Sequence, residues 1–286
     1  MATNSKVWLI TGSSTGFGRS LAEAILKHGD RVIATARKPE QLNDLGAQYP
    51  NTVKAIRLDV TQPQNVREVV DAAIAAFGRI DVLVNNAGYA LIGALEEVSD
   101  EQIRRNFDTN LFGSIDMMRA VLPIMRQQQS GHIINMSATA GFSNELGFSI
   151  YGGTKFALEG VSEAVYGEVH PLGIKVTIVE PGPFRTDFAG RSLDRAAISM
   201  EAYQGTVGKF VQFLNQFEET RSQPGDPDKA AQAIIQIVNT ENPPLRLVLG
   251  QYSYRKFRAK IESLTQELNE WEAIAANTDF ATTEAY

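Results

Sequence analysis

Short runs of Val, Ile and Leu alternate with longer stretches whose apolar residues recur at helical spacing, from the first residues of the chain onward. Most of the short runs are nearly continuous in Val, Ile and Leu, which is typical of strands covered on both faces. This pattern predicts seven strands, at residues 6–11, 31–36, 53–58, 81–85, 132–137, 175–180 and 245–249. It predicts helices between them, at residues 17–27, 39–45, 64–77, 100–128, 150–169 and 227–238.

Strict alternation of strand and helix predicts a parallel sheet with right-handed crossovers, because parallel neighbours must be joined by a crossover. We therefore expect an α/β fold: a doubly wound parallel sheet of seven strands with helices on both faces. No internal repeat or low-complexity linker divides the 286 residues, and this length suits one large core. We expect a single domain over residues 1–286.

Two segments depart from the alternation. Residues 188–225 form a long insertion, and residues 250–286 form a C-terminal extension whose middle, 256–271, is charged and helical in pattern. A long insertion in a compact α/β chain is more often a lid or binding loop than filler. Its apolar residues recur at helical spacing, so it forms either an amphipathic substrate lid or a helix packed on the core. These residues are Val207, Phe210, Phe213, Leu214 and Phe217.

Composition excludes several classes of function. The net charge is −6 without a basic cluster, so neither nucleic acid nor a membrane surface is an expected partner. The chain has no cysteine, which excludes disulfides, thiolate catalysis and cysteine-bound metals. Its three histidines are scattered without ligand spacing, so no metal site is predicted. No secretory leader or membrane-length apolar run is visible, and a cytoplasmic location is the default expectation.

Candidate acid–base chemistry lies at Tyr151 and Lys155, four residues apart on one face of a predicted helix. A free phenol has a pKa of about 10, and a nearby ammonium should favour the phenolate and lower that pKa. Ser137 ends the preceding apolar strand, where its hydroxyl can hold the oxygen that gains or loses the proton. The three residues predict a general acid–base group that works on a carbonyl or an alcohol.

The spacing alone is weak evidence, because Tyr252 and Lys256 repeat it. Only Tyr151 follows an apolar strand that ends in a serine. For the second pair we expect a ring that packs against the protein and a lysine that reaches solvent.

The first strand is followed by a glycine-rich turn, which reads TGSSTGFG from residue 11 to residue 18. Glycines there let the backbone approach a pyrophosphate, whose charge is met by the amides and the positive dipole of the next helix. A purely structural turn is the alternative, but the position after the first strand of an alternating chain favours a dinucleotide and a Rossmann-type sheet. The expected cofactor-binding residues of the turn are Gly12, Ser14, Gly16, Phe17 and Gly18.

Polar residues follow the next three strands, at the edge where open α/β sheets bind ligands. Arg37 follows the second strand, where a carboxylate would bind the ribose of NAD; a guanidinium instead suits the 2′-phosphate of NADP. Asp59 and Val60 follow the third strand, where they are placed to meet the adenine. The fourth strand is followed by a small polar turn against which a ribose can lie, with Asn86, Ala87 and Gly88 as expected contacts.

Together these residues resemble the short-chain dehydrogenase/reductase family. The resemblance is close over residues 6–187 and loose elsewhere, where the chain is similar to 17β-hydroxysteroid dehydrogenase-like and carbonyl reductase-like members. It rests on separate motifs in the family's order, namely the glycine turn, Asp59, the turn at 85–88, Asn110, Ser137, Tyr151 with Lys155, and Pro181-Gly182 followed by Thr186.

The resemblance implies a role for each residue. Tyr151 is the general acid in ketone reduction, Lys155 holds the nicotinamide ribose and lowers the tyrosine pKa, and Ser137 binds the substrate oxygen. Asn110 kinks its helix and positions a water that links Lys155 to solvent. The nicotinamide ring and its carboxamide are contacted by Pro181, Gly182 and Thr186. The implied chemistry is hydride transfer between a nicotinamide and a ketone or secondary alcohol, so the domain is a dinucleotide-binding catalytic domain.

The expected cofactor is NADP(H). NADP-preferring relatives often carry a basic residue just before the second glycine, where this chain has Thr15. The 2′-phosphate is then bound mainly by Arg37, aided by Ser13, Ser14 and Lys38.

The residues expected around the reacting carbon are mostly apolar, and no cluster of Arg or Lys accompanies them to bind a phosphate or carboxylate. We expect a bulky hydrophobic ketone or alcohol, with steroid-like and retinoid-like substrates among the alternatives. The expected substrate contacts are Ser137, Tyr151, Phe142, Phe148, Phe184 and Phe188, with Tyr89, Ile92 and Leu146 nearby.

Subunit pairing is expected at helix 150–169. Small residues recur on its side away from Tyr151, and the helix carries few charges, so this side should touch something besides its own sheet. The small residues are Ala157, Gly160, Ala164 and Gly167. The family pairs subunits through this helix, and the resemblance therefore implies a homodimer or homotetramer.

The main alternative to an enzyme is a non-catalytic NADP-binding regulatory protein of the same fold. Such proteins typically lose the tyrosine or the lysine, and both are present here. Other reactions of the family fit less well, because epimerases usually differ in glycine spacing and enoyl reductases place the tyrosine and lysine further apart.

Overall fold

The computed structural model describes residues 5–186 and 191–280. The described residues form nine strands and nine α-helices. The strands are β1 (Val7–Ile10), β2 (Arg31–Ala36), β3 (Val53–Arg57), β4 (Val82–Asn85), β5 (Ala90–Ile92), β6 (Gly131–Met136), β7 (Ile174–Pro181), β8 (Leu193–Arg195) and β9 (Arg246–Leu249). The helices are α1 (Gly16–His28), α2 (Asn43–Gln48), α3 (Pro63–Phe77), α4 (Asp100–Phe107), α5 (Gly113–Gln128), α6 (Ser149–Val169), α7 (Lys209–Thr220), α8 (Pro227–Val238) and α9 (Gln251–Ala275).

The central sheet has seven parallel strands in the order β3-β2-β1-β4-β6-β7-β9. The strand order reverses between β1 and β4, because the chain first adds β2 and β3 on one side and then returns to the other. Such a reversal opens a crevice at the carboxyl ends of the two strands. The predicted α/β class and the doubly wound seven-stranded sheet are confirmed.

The helices cover both faces of this sheet. Successive strand residues point to opposite faces, so Trp8 and Ile10 of β1 pack in one core with α1 and α8. Leu9, between them, packs in the other core with α3 and α5. Burial on both sides explains why these strands are continuously apolar rather than alternating.

The helix predicted over residues 100–128 is present and continuous, with a π-helical interruption inside it. The stretch divides into α4 and α5 around a π-helical turn at Asp108–Phe112. A π turn widens the helix and interrupts its regular hydrogen bonding, often at a functional position. The distortion expected at Asn110 is therefore present, and it lies inside this turn.

Two strands escaped prediction because each is only three residues long. β5 and β8 pair in parallel, with Ala90 beside Leu193 and Ile92 beside Arg195. The pairing joins the 188–225 insertion to the segment after β4. It therefore anchors the insertion close to its first described residues. The helix expected in the insertion is present as α7.

The C-terminal extension begins as part of the domain and then leaves it. Ser253 and Phe257, in the first turns of α9, are buried. From residue 261 to residue 280 every residue is exposed. The helix predicted at 256–271 is confirmed and is longer, but its outer half does not pack on the described part of the domain.

The side of α6 that was expected to pair subunits is open in the single chain. Gly160, Ala164 and Gly167 are exposed, and an added Cβ at either glycine would contact nothing within 4 Å. Phe156 on the same helix is 46% exposed. The homodimer or homotetramer expected through this face stays a prediction.

A cluster of charges joins α6 to the edge of the sheet. Arg246 of β9 donates to Glu180 at 2.6 Å and to Glu163 at 2.6 Å, and it also donates to Glu159. Glu180 and Glu159 are both buried, with 0% and 4% of their surface exposed. Burial raises the pKa of Glu180 to about 8; the nearby charge of Glu159 adds to the rise, and Arg246 opposes it.

The raised pKa predicts how pH affects stability. Because folding raises the pKa of Glu180 from 4.5 to about 8, the stabilisation from its bound proton is present below pH 4.5 and is lost as the pH rises through about 8. Glu180→Gln removes this titration, so the unfolding free energy of the wild type minus that of the variant should decrease from pH 5 to pH 8. The decrease is about 1.4 kcal/mol for each unit of pKa shift removed. Denaturant unfolding across this pH range measures it.

The matched control is Glu262→Gln, at an exposed position of α9. Its unfolding free energy should run parallel to that of the wild type. Parallel curves for Glu180→Gln as well would contradict the assignment of a bound proton to this site.

Candidate active site

A cavity of about 1600 Å³ lies at the carboxyl ends of the parallel strands, on the edge where the order of β1 and β4 reverses. The turns that follow β1, β2, β3, β4, β6 and β7 all contribute to its wall. It therefore gathers side chains that are far apart in sequence, as the position of a topological switch point leads one to expect.

The glycine turn after β1 forms one end of this cavity. Gly12 and Gly16 adopt positive φ angles, 69° and 57°, which favour glycine over residues with a Cβ. A Cβ at Gly18 would overlap the carbonyl oxygen of Gly12 and the side-chain amide of Asn86. The turn thus brings bare backbone and the amino end of α1 to the cavity wall, and this cradle fits a dinucleotide pyrophosphate.

Asn86 connects the turns after β1 and β4. Its side-chain amide donates to the carbonyl oxygens of Thr11 and Gly12, both at 2.9 Å. The backbone amides of Asn86 and Ala87 both donate to the Thr11 hydroxyl at 2.9 Å. Asn86 therefore holds the two turns together at the switch point, in addition to lining the cavity.

The residues predicted for the adenosine half of a cofactor lie along the same wall. Arg37, Asp59 and Val60 all line the cavity. Asp59 also accepts hydrogen bonds from the backbone and hydroxyl of Thr61, at 3.1 and 2.8 Å, which hold its turn. Arg37 is exposed, so its guanidinium is free to move toward a ligand.

The expected help from Ser13 and Lys38 is not supported. Ser13 is fully buried, where its hydroxyl donates to Ile10 and accepts from the backbone of Thr35. This hydroxyl ties β1 to β2 and does not face the cavity. Lys38 is not among the cavity residues, whereas Ser14 is.

Tyr151, Lys155 and Ser137 meet on the cavity wall. Tyr151 and Lys155 lie one turn apart on α6, and Ser137 follows β6 directly. The ammonium of Lys155 donates to the carbonyl oxygen of Met136 at 2.7 Å and lies 5.9 Å from the centre of the Tyr151 ring. All three side chains are at least 94% buried.

The expected depression of the tyrosine pKa is wrong for this arrangement. Burial raises the pKa of Tyr151 above its usual value, because the phenolate would lose its hydration. Burial also lowers the pKa of Lys155 to about 8, with the charge of Glu159 opposing this effect. Burial therefore favours the protonated phenol of Tyr151.

Asn110 lies behind this group with its side chain fully buried. Its amide donates to the Tyr89 carbonyl at 2.9 Å and to the Thr154 hydroxyl at 3.1 Å, and its oxygen accepts from the Tyr89 amide at 3.0 Å. A Cβ at Gly88 would lie 3.0 Å from the Asn110 oxygen and 3.6 Å from the Lys155 ammonium. Asn110 thus supports the turn that faces Lys155, and Gly88 keeps room beside both groups.

Ser137 lies next to Glu159, a member of the charge cluster that joins α6 to the edge of the sheet. A Cβ at Gly141 would overlap the Ser137 hydroxyl and contact the Glu159 carboxylate. Burial raises the pKa of Glu159, while the Ser137 hydroxyl and Arg246 act in the opposite direction. The candidate catalytic serine is therefore next to a buried carboxyl group that sequence reasoning did not identify.

The segment after β7 closes the wall opposite the glycine turn. Pro181, Gly182 and Thr186 all line the cavity. An added Cβ at Gly16 would lie 3.6 Å from Thr186, so the two segments approach each other closely. Phe184 packs on Phe17 with ring centres 5.1 Å apart. Phe188, also predicted as a substrate contact, lies outside the described residues.

Aromatic residues of α7 line the far end of the cavity. Phe210 packs edge-on against Phe148, which in turn packs against Tyr151 at 5.3 Å. A continuous apolar surface thus runs from the acid–base group into the insertion. The residues of α7 on this surface are Phe210, Phe213, Leu214 and Phe217.

Phe142 is not a wall residue, contrary to prediction. Its ring stacks on Phe257 of α9 at 4.4 Å and lies beside Arg246. It connects the C-terminal extension to the domain. Ile92 and Leu146, expected nearby, are also absent from the wall, whereas Tyr89 and Phe184 are part of it.

The second tyrosine–lysine pair does not behave as expected. Tyr252 donates its hydroxyl to Glu145, and Lys256 binds the same carboxylate at 3.0 Å. Tyr252, Glu145 and Arg255 line the cavity, so the C-terminal extension supplies a polar part of its wall. Arg105 also lines the cavity. No spacing in the sequence connects Glu145 with residue 252, since the contact depends on how α9 docks.

Neither a cluster of metal ligands nor a membrane-spanning helix is found among the described residues. They contain no group of three His, Asp or Glu side chains placed to hold a metal ion. None of their helices combines the length and the apolarity needed to cross a membrane.

Comparison with known proteins places this site in a family. A family model described as short chain dehydrogenase matches residues 6–196, more than half of the chain. The oxidoreductase BOA17 of Botryotinia fuckeliana is 40% identical over 271 residues, which cover 94% of this chain and 98% of the relative. A 3-ketodihydrosphingosine reductase of Bacteroides thetaiotaomicron is 38% identical over 246 residues, covering 86% and 88%.

Solved structures support the same family assignment. A short-chain dehydrogenase from Streptomyces avermitilis is 45% identical, with a TM-score of 0.91 over 97% of this chain and 100% of that one. The closed form of a serine dehydrogenase complexed with NADP⁺ is 29% identical, with a TM-score of 0.73 over 85% and 94%. The chain is an oxidoreductase and belongs to the short-chain dehydrogenase/reductase family.

Proposed function

We propose that this protein is an NADP(H)-dependent reductase or dehydrogenase that interconverts a bulky, largely hydrophobic ketone and its secondary alcohol. The observation that carries the proposal is the meeting of Tyr151, Lys155 and Ser137 on the wall of the cavity that also contains the glycine turn. An acid–base group and a dinucleotide cradle in one cavity are the two parts that hydride transfer to a carbonyl requires.

The cofactor proposed is NADP(H), held along the strand ends. The glycine turn from Gly12 to Gly18 would receive the pyrophosphate, and Arg37 would bind the 2′-phosphate through its guanidinium. Asp59 and Val60 would contact the adenine, and Asn86, Ala87 and Gly88 would contact the ribose. The NADP⁺ complex of the serine dehydrogenase relative supports a nicotinamide cofactor in a fold of this kind. When bound, the nicotinamide supplies the hydride.

Proton transfer is assigned to Tyr151. In the direction of reduction its phenol gives a proton to the carbonyl oxygen as negative charge develops there. Burial keeps the proton on Tyr151 until that charge appears. The Lys155 ammonium lies on the same helix face and stabilises the phenolate that remains.

Ser137 is assigned to orient the substrate oxygen. Its hydroxyl lies within the same wall as the Tyr151 phenol, and a donor placed at the carbonyl oxygen stabilises the charge that forms there. Asn110 acts on the site indirectly, through its hydrogen bonds to Tyr89 and Thr154. We assign it a positioning role, with a water linking Lys155 to solvent as the mechanism expected from the family.

The proposed substrate has an apolar body and tolerates a polar group at one end. The rings of Phe148 and Phe210 line the path away from Tyr151, which suits a bulky apolar molecule. Glu145, Tyr252 and Arg255 would face its distal end. The 38% identical relative is named as reducing a 3-keto compound of the sphingosine type, which supports a ketone with a large apolar part. Steroid-like and retinoid-like ketones, expected from the 17β-hydroxysteroid dehydrogenase-like resemblance, remain within this proposal.

The arrangement of the chain fits one catalytic domain with α7 as a substrate lid. α7 contributes four apolar side chains to the cavity wall and follows a segment anchored by β8. A lid of this kind excludes water from the reacting carbon. We place the enzyme in the cytoplasm as a homodimer or homotetramer, as the sequence analysis predicts.

The catalytic assignment predicts the effect of Tyr151→Phe. Removing the phenolic proton should lower kcat for ketone reduction by about 10²- to 10⁴-fold, while NADPH still binds. NADPH consumption against a panel of bulky ketones measures the rate, and titration calorimetry measures cofactor binding. Tyr166→Phe, on the same helix but packed against His170 away from the cavity, is the matched control and should keep wild-type turnover.

Two outcomes would contradict this prediction. Turnover that survives Tyr151→Phe would remove the mechanism. A wild-type protein that binds NADPH but reduces no ketone of the panel would favour the non-catalytic regulatory alternative.

The cofactor assignment predicts the effect of Arg37→Asp. Loss of a charged hydrogen bond to the 2′-phosphate and gain of a repelling carboxylate should weaken NADPH binding by at least about tenfold. NADH, which lacks that phosphate, should bind at least as well as before. Dissociation constants for both cofactors test this, with Lys38→Asp as the control outside the cavity. Unchanged NADPH affinity in Arg37→Asp would refute the assignment.

A further inference from the structure

Two buried oxygen atoms at the acid–base group make no hydrogen bond within the part of the chain that the structure describes. They are Oγ of Ser137, which follows β6, and Oε1 of Glu159, on α6. Each of the two residues is 4% exposed. Burial of a polar atom without a partner is costly, so these two atoms require an explanation in the chemistry of the site.

The two oxygens approach each other at Gly141. A Cβ at that residue would lie 2.3 Å from Ser137 Oγ and 2.9 Å from Glu159 Oε1, so both atoms lie within 2.9 Å of one point. The serine hydroxyl is also close enough to the carboxyl group to act on its pKa, which it lowers. A small adjustment of either side chain therefore joins the two groups in a hydrogen bond.

The other oxygen of the Glu159 carboxyl group is held by Arg246. The guanidinium donates to Oε2, and Oε1 is left on the side of Ser137. The carboxyl group thus has a fixed orientation, with one oxygen committed to a cation and the other directed to the serine.

Charged groups surround Glu159 and Arg246 from three elements of the domain. They are Lys155 and Glu163 of α6, Glu180 of β7 and Arg246 itself, of β9. Burial raises the pKa of Glu159 and of Glu180, and the two carboxyl groups titrate as a pair because they share one guanidinium. Glu159 therefore changes its charge at a higher pH than an exposed glutamate does.

The proton on Glu159 decides what Ser137 can offer to a ligand. A serine hydroxyl has one proton to donate and two lone pairs that accept. An ionised carboxylate only accepts, so it competes for the serine proton. A protonated carboxyl group can instead donate to Oγ, and the serine proton is then available to a ligand in the cavity.

We propose that Glu159 is a positioning residue for ketone binding: its protonated carboxyl group donates to Ser137 Oγ and so directs the serine proton to the substrate carbonyl oxygen. The role of Glu159 rests on the proposed function, which assigns Ser137 to that oxygen. A ketone oxygen only accepts hydrogen bonds, whereas an alcohol can also donate. Ionisation of Glu159 therefore weakens ketone binding and has much less effect on alcohol binding.

Glu159→Gln tests the proposal, because Arg246 fixes the orientation of the new side chain. The guanidinium can donate only to the amide oxygen, and this turns the amide NH₂ toward Ser137. The variant thus copies the protonated carboxyl group at every pH. The matched control is Glu163→Gln, which removes an exposed carboxylate that Arg246 contacts at 2.6 Å.

The first experiment measures KM for a bulky ketone with saturating NADPH, and KM for its alcohol with saturating NADP⁺, from about pH 5 to about pH 9. In the wild type and in Glu163→Gln, the ketone KM should rise about tenfold with pH, as expected for the loss of one hydrogen bond. The alcohol KM should change much less. In Glu159→Gln, the ketone KM should stay near the low-pH value of the wild type.

A ketone KM in Glu159→Gln that rises with pH as in the wild type would overturn the proposal. Ketone and alcohol KM values that rise together in the wild type would also overturn it, because the titrating group would then not act through the serine proton. A wild-type protein that reduces no ketone would contradict the proposed function instead.

The second experiment observes the contact without turnover, so it stands whether or not a ketone is reduced. A buried protonated carboxyl group gives an infrared C=O band, which Glu159→Gln should remove; Glu180→Gln identifies the band of the neighbouring carboxyl group. In Ser137→Ala the Glu159 band should move to higher frequency, because the carboxyl group loses the acceptor of its hydrogen bond. Carboxyl bands in Ser137→Ala that equal those of the wild type would overturn the proposal. Circular dichroism checks that the variants fold, and Ser137→Ala decides the contact even if Glu159→Gln does not fold.

Discussion

Everything at the candidate site depends on the parallel pairing of β1, β4, β6 and β7. Parallel strands end on the same edge of the sheet, so the turns at Gly12, Asn86, Ser137 and Gly182 meet although they are far apart in sequence. The side-chain amide of Asn86 then binds the β1 turn directly. A shift in strand register would separate these turns and with them the dinucleotide cradle from the acid–base group.

A second constraint is electrostatic. Lys155, Glu159 and Glu180 are all buried, and Arg246 donates to both glutamates at the end of the sheet. Isolated buried charges are costly, so each of these groups depends on its neighbours for its charge state. The lowered pKa of Lys155 and the raised pKa of Glu180, each about 8, are two results of the same burial. Changes at this cluster should therefore affect both stability and the proton donor.

Much of the architecture was predictable because it follows from local patterns. Short apolar runs, most of them nearly continuous, identified all seven sheet strands, and the motifs at Gly12, Asn86 and Tyr151 line one cavity. What failed depended on long-range docking or very short elements. β5 and β8 are three residues each, Phe142 turned toward α9, and Glu145 met Tyr252 only because α9 returns to the domain. The tyrosine pKa also departed from expectation, because spacing reveals the nearby lysine and not the burial of the phenol.

The central claim is that Tyr151 donates the proton while the nicotinamide gives hydride to the same carbonyl. Reduction of a bulky ketone with NADPH deuterated at the transferable position, followed by mass spectrometry of the alcohol, tests it most directly. We expect one deuterium on the carbinol carbon with the wild type and at least a hundredfold slower product formation, roughly, with Tyr151→Phe. An alcohol without deuterium, or equal rates for the two proteins, would contradict it.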